Sequence, residues 1–288
     1  MYAVFGATGN TGRATVKELH ALGEDPLCVV RNLEKARDVL GADAKTVVAE
    51  ITDRAAIEKA LHGIERVFVV TGHNPQAGEQ QITILDAAKA AGVDFFVKVS
   101  GGRDVVGPDV ESVVGRGHYA VEEAMKTSGI PWCVLSPGLF MQNTFGQAAS
   151  IKNDGRLAQA FAGDLPVALI DVRDTGAVGA RVLRDPARHA GKTYAFTGVT
   201  TTCEAFAHVF SDVLGKPVTY AALSIEQLEA GMKTRNMPDW LIGHMVAVAR
   251  AGANGAFSNE RTGPIHDIVG RAPITTREFV EHFRATFS

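Results

Sequence analysis

Tyr2-Ala3-Val4-Phe5-Gly6-Ala7-Thr8-Gly9-Asn10-Thr11-Gly12-Arg13 is the stretch from which the fold of this chain is read. Four residues of strand character enter a glycine-spaced turn, and Ala14 to Leu22 follows with Val16, Leu19 and Leu22 along one helical face. Pro26 to Val30 reads as the next strand, which completes a βαβ unit within about thirty residues. Glycine at such a turn frees the backbone torsions and lets an anion approach the main chain, while the amides and dipole of the helix N-terminus favour negative charge. The segment therefore reads as a dinucleotide phosphate cradle built on Gly6, Gly9 and Gly12, with Thr8, Asn10 and Thr11 between them. Its spacing is G-x-x-G-x-x-G and not the commoner G-x-G-x-x-G, so the strand–helix–strand context carries the assignment.

Working outward, apolar runs at Leu27 to Val30, Thr46 to Val48, Val67 to Val70, Phe95 to Val99 and Trp132 to Leu135 alternate with helical patterns at Asp53 to Leu61, Gln76 to Ala91 and Gly115 to Ser128. Near-continuous hydrophobic strands belong to a parallel sheet covered on both faces. The expected fold is α/β: a doubly wound parallel Rossmann sheet with a smaller, mostly helical C-terminal substrate region. The boundary is expected near residue 150, giving a dinucleotide-binding domain over 1–150 and a substrate-binding region over 151–288, part of which returns to the sheet. Beyond it, a hairpin is expected near Gly163, then a strand at Tyr194 to Phe196 and a helix from Cys203 to Leu214. The last helix carries a capping-box pattern, Thr275 to Glu278, ahead of Phe279, Phe283 and Phe287.

With 288 residues, 46% of them hydrophobic, the chain can bury a sizeable core. A net charge of −3 and no basic stripe argue against nucleic-acid binding. No transmembrane span or secretory leader is read, so a cytoplasmic protein with a small-molecule substrate is expected. Cys28, Cys133 and Cys203 are far apart and read as core residues. His62, His73, His189 and His244 show no ligand spacing, and no metal is expected. Oligomeric state is not legible.

The end of the second strand selects the nicotinamide cofactor. An NAD-type site has an acidic residue there to bind the ribose hydroxyls, whereas this chain has Arg31, whose planar fork suits a 2′-phosphate, with Lys35 nearby. NADP(H) is therefore expected. Glu50 and Ile51, after the third strand, are expected beside the adenine.

None of the four tyrosines stands four residues before a lysine: the fourth residue after Tyr2, Tyr119, Tyr194 and Tyr220 is Gly6, Glu123, Gly198 and Ser224. The usual tyrosine–lysine proton machinery of short-chain dehydrogenases is thus missing. The elements Gly6 to Gly12, Val30-Arg31-Asn32, Phe68 to Thr71, Phe96 to Ser100, Ser128 to Trp132, Ser136 to Asn143 and Gly270 to Pro273 resemble the NmrA-like, atypical short-chain dehydrogenase family from the first strand to the last helix. One departure is Ser136, where relatives often carry arginine. The resemblance implies an NADPH-dependent reductase acting on quinones, triphenylmethane or azo dyes, or alternatively a redox sensor that binds NADP without turnover and acts through a protein partner. It also puts His118 where relatives carry the lysine of that pair, and Val114 in place of the tyrosine.

His118 is the leading proton-handling candidate, with Glu122 one helical turn on to orient its ring. Ser100 and Thr71 close two strands at the sheet edge, where each hydroxyl either meets the carboxamide or a substrate oxygen or caps the next element. Lys98, inside a buried strand, needs a partner, either a cofactor phosphate or a carboxylate. Pro137 is expected against the cofactor, and Phe140, Met141 and Asn143 are expected either to line the substrate pocket or, for the two apolar ones, to pack in the core.

Overall fold

The computed structural model describes residues 1–288. Its strands are β1 (Tyr2–Phe5), β2 (Leu27–Val30), β3 (Thr46–Val48), β4 (Arg66–Val69), β5 (Phe95–Val99), β6 (Trp132–Pro137), β7 (Leu139–Phe140), β8 (Arg156–Gln159), β9 (Pro166–Ile170), β10 (Lys192–Phe196), β11 (Val199–Thr202) and β12 (Thr219–Ala222). Its helices are α1 (Asn10–Ala21), α2 (Leu33–Leu40), α3 (Arg54–Ala60), α4 (Ala77–Ala90), α5 (Val113–Thr127), α6 (Ala148–Asp154), α7 (Val172–Arg184), α8 (Pro186–His189), α9 (Cys203–Leu214), α10 (Ile225–Thr234), α11 (Asp239–Ala253), α12 (Thr276–His282) and α13 (Arg284–Phe287). None of these helices is long and apolar enough to cross a membrane.

Seven strands form one parallel sheet in the order β10-β6-β5-β4-β1-β2-β3. The order reverses between β1 and β4, so the crevice at their carboxyl ends is the topological switch point where such sheets bind ligands. Because strand side chains alternate, Val4, Phe68, Val97 and Leu135 pack with Val16, Leu19 and Val178 on the α1/α7 face. Ala3, Phe5 and Phe96 pack with Ile57, Ile84, Val121 and Met125 on the face covered by α3, α4 and α5. Lys98 and Ser100 share the parity of Phe96, so both belong to the α5 face.

Two segments from beyond residue 150 complete this layer: β10 pairs in parallel with β6, and α7 packs on α1. There Gly176 comes so close that a Cβ would stand 2.7 Å from the carbonyl carbon of Ala14. The hairpin expected near Gly163 does not form. β8 pairs with β12 and β9 with β7 and β11, because each apolar strand finds its partner around a separate core of Met141, Ile151, Leu157, Phe206, Phe210, Phe279 and Phe287. The capping box at Thr275 and Glu278 is present, and it starts the helix that delivers Phe279 to that core.

Candidate active site

Each glycine of the turn after β1 has its own reason. Gly6 has φ +75°, and a Cβ there would lie 1.8 Å from the carbonyl oxygen of Val70; one at Gly12 would lie 2.1 Å from that of Gly6. Gly9, with φ −82°, is exposed and carries no such clash. It caps α1 without a side-chain hydrogen bond, and no acidic side chain occupies the first turn. The amides of Asn10, Thr11 and Gly12 have no acceptor within the chain. This is the donor set that a pyrophosphate satisfies. Thr8 is half-buried, Asn10 exposed and Thr11 buried at the same turn.

At the carboxyl end of β2, Arg31 is exposed, while the neighbouring Asn32 is spent on capping α2 through the Lys35 amide. Glu50 is exposed in the turn after β3, and Ile51 packs on the α3–α5 core at the base of that turn. Both stand on the same sheet edge as Gly9 and Arg31.

On the other side of the switch point, the sequence candidates interact differently from expectation. His118 is not oriented by Glu122: its Nδ1 lies 2.8 Å from Nζ of Lys98. The amine is fully buried, its other contact being the carbonyl of Val99 at 3.2 Å, so Lys98 reaches neither an outer phosphate nor a carboxylate. The pairs cross because α5 runs back along β5. The long Lys98 side chain climbs toward the helix start and His118, while Glu122, tilted toward the helix N-terminus, reaches the strand end. There Glu122 accepts from the Ser100 hydroxyl and from both terminal nitrogens of Arg103, at 2.6 and 2.8 Å. Ser100 is thereby committed to this buried network and is not a free hydroxyl facing the cleft. Arg103 also donates to Ser136 Oγ at 2.9 Å, and Ser136 donates to the carbonyl of Gly101 at 2.6 Å. Arg103, at the start of a single 3-10 turn (Arg103–Val105), thus sets a guanidinium against Ser136, which no periodic signal around Arg103 discloses.

The electrostatics follow from this burial. Desolvation, with the nearby Arg103 charge, lowers Lys98 to about 7 despite Glu122. Burial first, and then the Lys98 charge, holds His118 well below the usual imidazole value. Burial opposes ionisation of Glu122, but the hydrogen bonds from Arg103 and Ser100 win and keep its carboxyl below the ordinary range. When Lys98 is an ammonium, which has only donors, Nδ1 of His118 accepts and Nε2 carries the ring hydrogen. That nitrogen lies at the end of β5, 3.9 Å from where a Cβ on Gly101 would stand.

A crevice of about 250 Å³ opens beside it between α4 and α5, lined by Thr71, His73, Asn74, Gln81, Gly117 and His118. It exists where the two helices cross on glycines, a Cβ at Gly78 falling 2.9 Å from Cα of Gly117. Thr71 accepts from Gln81 Nε2 at 2.7 Å, and the buried Oε1 of Gln81 has no partner. His73 meets His118 and His244 edge-on, at 6.1 and 5.2 Å between ring centres. Nothing in the spacing of these histidines foretells that a loop, α5 and α11 bring them together.

Pro137 is buried at the end of β6, and a second hollow of about 300 Å³ adjoins it, lined among others by Ser136, Gly138, Thr197, Phe257 and Arg261. The expected pocket residues lie elsewhere. Met141 is fully buried in the C-terminal core, Phe140 packs against the α1/α7 core, and Asn143 is exposed. Of the two readings open for the apolar pair, core packing describes Met141, and Phe257 and Arg261 are among the residues lining the hollow beside Pro137.

A parallel sheet whose switch point carries a glycine anion cradle, an exposed arginine and a buried lysine–histidine couple defines a Rossmann protein built for a phosphorylated dinucleotide. The chain belongs to the NmrA-like family, whose model matches residues 2–270. It is 30% identical to an NAD(P)H azoreductase of Xenophilus azovorans, over 100% of this chain and 99% of that one. It is 33% identical to a (4-alkanoyl-5-oxo-2,5-dihydrofuran-3-yl)methyl phosphate reductase of Streptomyces griseus subsp. griseus, over 83% and 82%. The structure superposes on the NADPH complex of an NADPH-dependent quinone oxidoreductase of Escherichia coli with TM-score 0.85, at 27% identity, covering 99% of this chain and 100% of the other.

Proposed function

We propose that this chain is an NADP(H)-dependent reductase that passes hydride to a quinone or another electron-poor conjugated acceptor. The observation that carries the reading is the position of the His118 Nε2–H at the end of β5, on the same sheet edge as the anion cradle, where a proton donor for a reduced acceptor is needed. Reductase relatives spanning the whole chain support it. When bound, NADPH supplies the hydride. The free amides of Asn10 to Gly12 hold its pyrophosphate, Arg31 selects the 2′-phosphate, and Pro137 with the hollow beside it shields the reacting end from water. A quinone becomes a weakly basic phenolate on taking hydride, so an imidazole N–H whose other nitrogen is held by the Lys98 ammonium suffices as acid where a simple ketone would need a stronger device. The missing tyrosine is thereby accounted for. The test is NADPH fluorescence and absorbance on mixing, then after addition of quinones and dyes: acceptor-dependent oxidation is expected. Tight NADPH binding with no turnover across the panel would overturn the reductase reading in favour of a regulator.

A further inference from the structure

Lys98 is a fully buried amine inside a strand of the parallel sheet, where a charge is costly. It touches no carboxylate and has no route to the cleft except through the imidazole of His118. We propose that Lys98 is the proton store of the reaction: its ammonium recharges His118 through Nδ1 as Nε2 protonates the reduced acceptor, so that the couple replaces the absent tyrosine–lysine pair. This rests on the reductase reading and gives it a proton path.

The step balances. Hydride from NADPH brings two electrons and one hydrogen to a quinone, leaving NADP+ and a hydroquinone monoanion. The Nε2–H bond breaks and its proton forms the second O–H. Nδ1 takes a proton from Nζ, so the ring stays neutral throughout and Lys98 ends as an uncharged amine. Solvent restores that proton through the crevice between α4 and α5, where His118 and the unpartnered Oε1 of Gln81 meet the opening. Titration near neutrality suits a group that must lose and regain a proton each turnover: burial lowers Lys98 to about 7 and holds His118 well below its usual value, so near neutrality the couple's exchangeable proton resides on Lys98 and is held part of the time. The charged and titratable groups around the couple are Glu122 of α5, Arg103 of the loop after β5, His73 after β4 and His244 of α11.

Two acceptors separate this role from hydride transfer itself. Reduction of menadione consumes a proton. Reduction of a cationic triphenylmethane dye does not, because hydride on its central carbon simply neutralises the cation. Lys98→Met is expected to lower the menadione kcat by about a hundredfold, to remove the alkaline fall of kcat expected of the parent protein, and to retain the dye rate. Lys98→Arg, which keeps a charge but cannot release a proton, is expected to match Lys98→Met. Retained NADPH fluorescence perturbation establishes that both variants fold and bind cofactor. Equal losses with both acceptors, or no loss with menadione, would overturn the proton store while leaving the reductase standing. Absence of turnover of either acceptor by the parent protein would instead sink the reductase reading, and the store with it.

Discussion

Arg103 grips both carboxylate oxygens of Glu122 and, through its Nε, the hydroxyl of Ser136, so one guanidinium joins the end of β5, the middle of α5 and the end of β6. Glu122 is 5% exposed, and removing the arginine strands its carboxylate in the interior. Arg103→Met should cost on the order of 3 kcal/mol in denaturant unfolding. Adding Glu122→Gln, which removes the stranded charge, should recover part of that loss; purely additive losses would show that the two side chains are uncoupled.

The glycines of the cradle should separate by role. Gly12→Ala puts a methyl 2.1 Å from the carbonyl oxygen of Gly6, so α1 must shift and the protein should lose stability along with cofactor. Gly9→Ala meets that oxygen only at 3.3 Å, with φ in an ordinary region, so melting temperature should hold while NADPH affinity falls about tenfold or more. Thermal melts paired with NADPH titrations distinguish the two; equal melting losses would refute the assignment.

Arg31→Glu replaces an attraction to the 2′-phosphate by repulsion. NADPH affinity should fall by roughly one to two orders of magnitude, and NADH affinity, with no such phosphate, should change little. An equal loss for both cofactors would mean that Arg31 does not read the phosphate.

Acid should destabilise the protein through its buried imidazoles. The Ser112 hydroxyl, which accepts from the Gly115 amide, lies 2.7 Å from His244 Nδ1, and burial lowers this histidine to about 4. Its unfolded value is about 6.5, so as pH falls from there toward 4 the unfolded chain takes up the proton first and stability drops. His118 acts in the same direction. His244→Asn should flatten the fall in melting temperature between pH 6.5 and 4; an unchanged slope would exclude His244 as a contributor.

Lys98 acts in the same direction at higher pH. Its amine titrates at about 7 when folded and near 10.4 when unfolded, so stability should rise with pH across that window as the unfolded chain releases its extra proton. Lys98→Met abolishes the rise and should be at least as stable as the parent at pH 7, since an apolar side chain replaces a buried charge of similar shape. A marked drop in melting temperature at pH 7 would contradict that account.

The frame of the molecule was legible because it rests on local signals: the glycine turn, the apolar strands, and Gly92 and Gly129 ending their helices at φ +78° and +83°. Lys98 stood out for a physical reason, a charge inside a strand, and His118 and Ser100 were found beside it. Their partners were not legible, because which of Lys98 and Ser100 meets His118 or Glu122 depends on how far each side chain climbs between strand and helix. Arg103, His73 and Phe257 come from loops, where no period marks a residue. Phe140 and Met141 stayed open between pocket and core because an apolar residue beside a site and one in a core carry the same sequence signature.

The pairing of β10 with β6 and the seating of Gly176 on Ala14 have a consequence for the order in which the protein is made. When the ribosome has released residues 1–150, β6 is still a bare edge and the outer groove of α1 is uncovered, although the entire glycine cradle has been translated. The nucleotide-binding layer is complete only once Phe196 has emerged, so until then the β6 edge stays open to pairing.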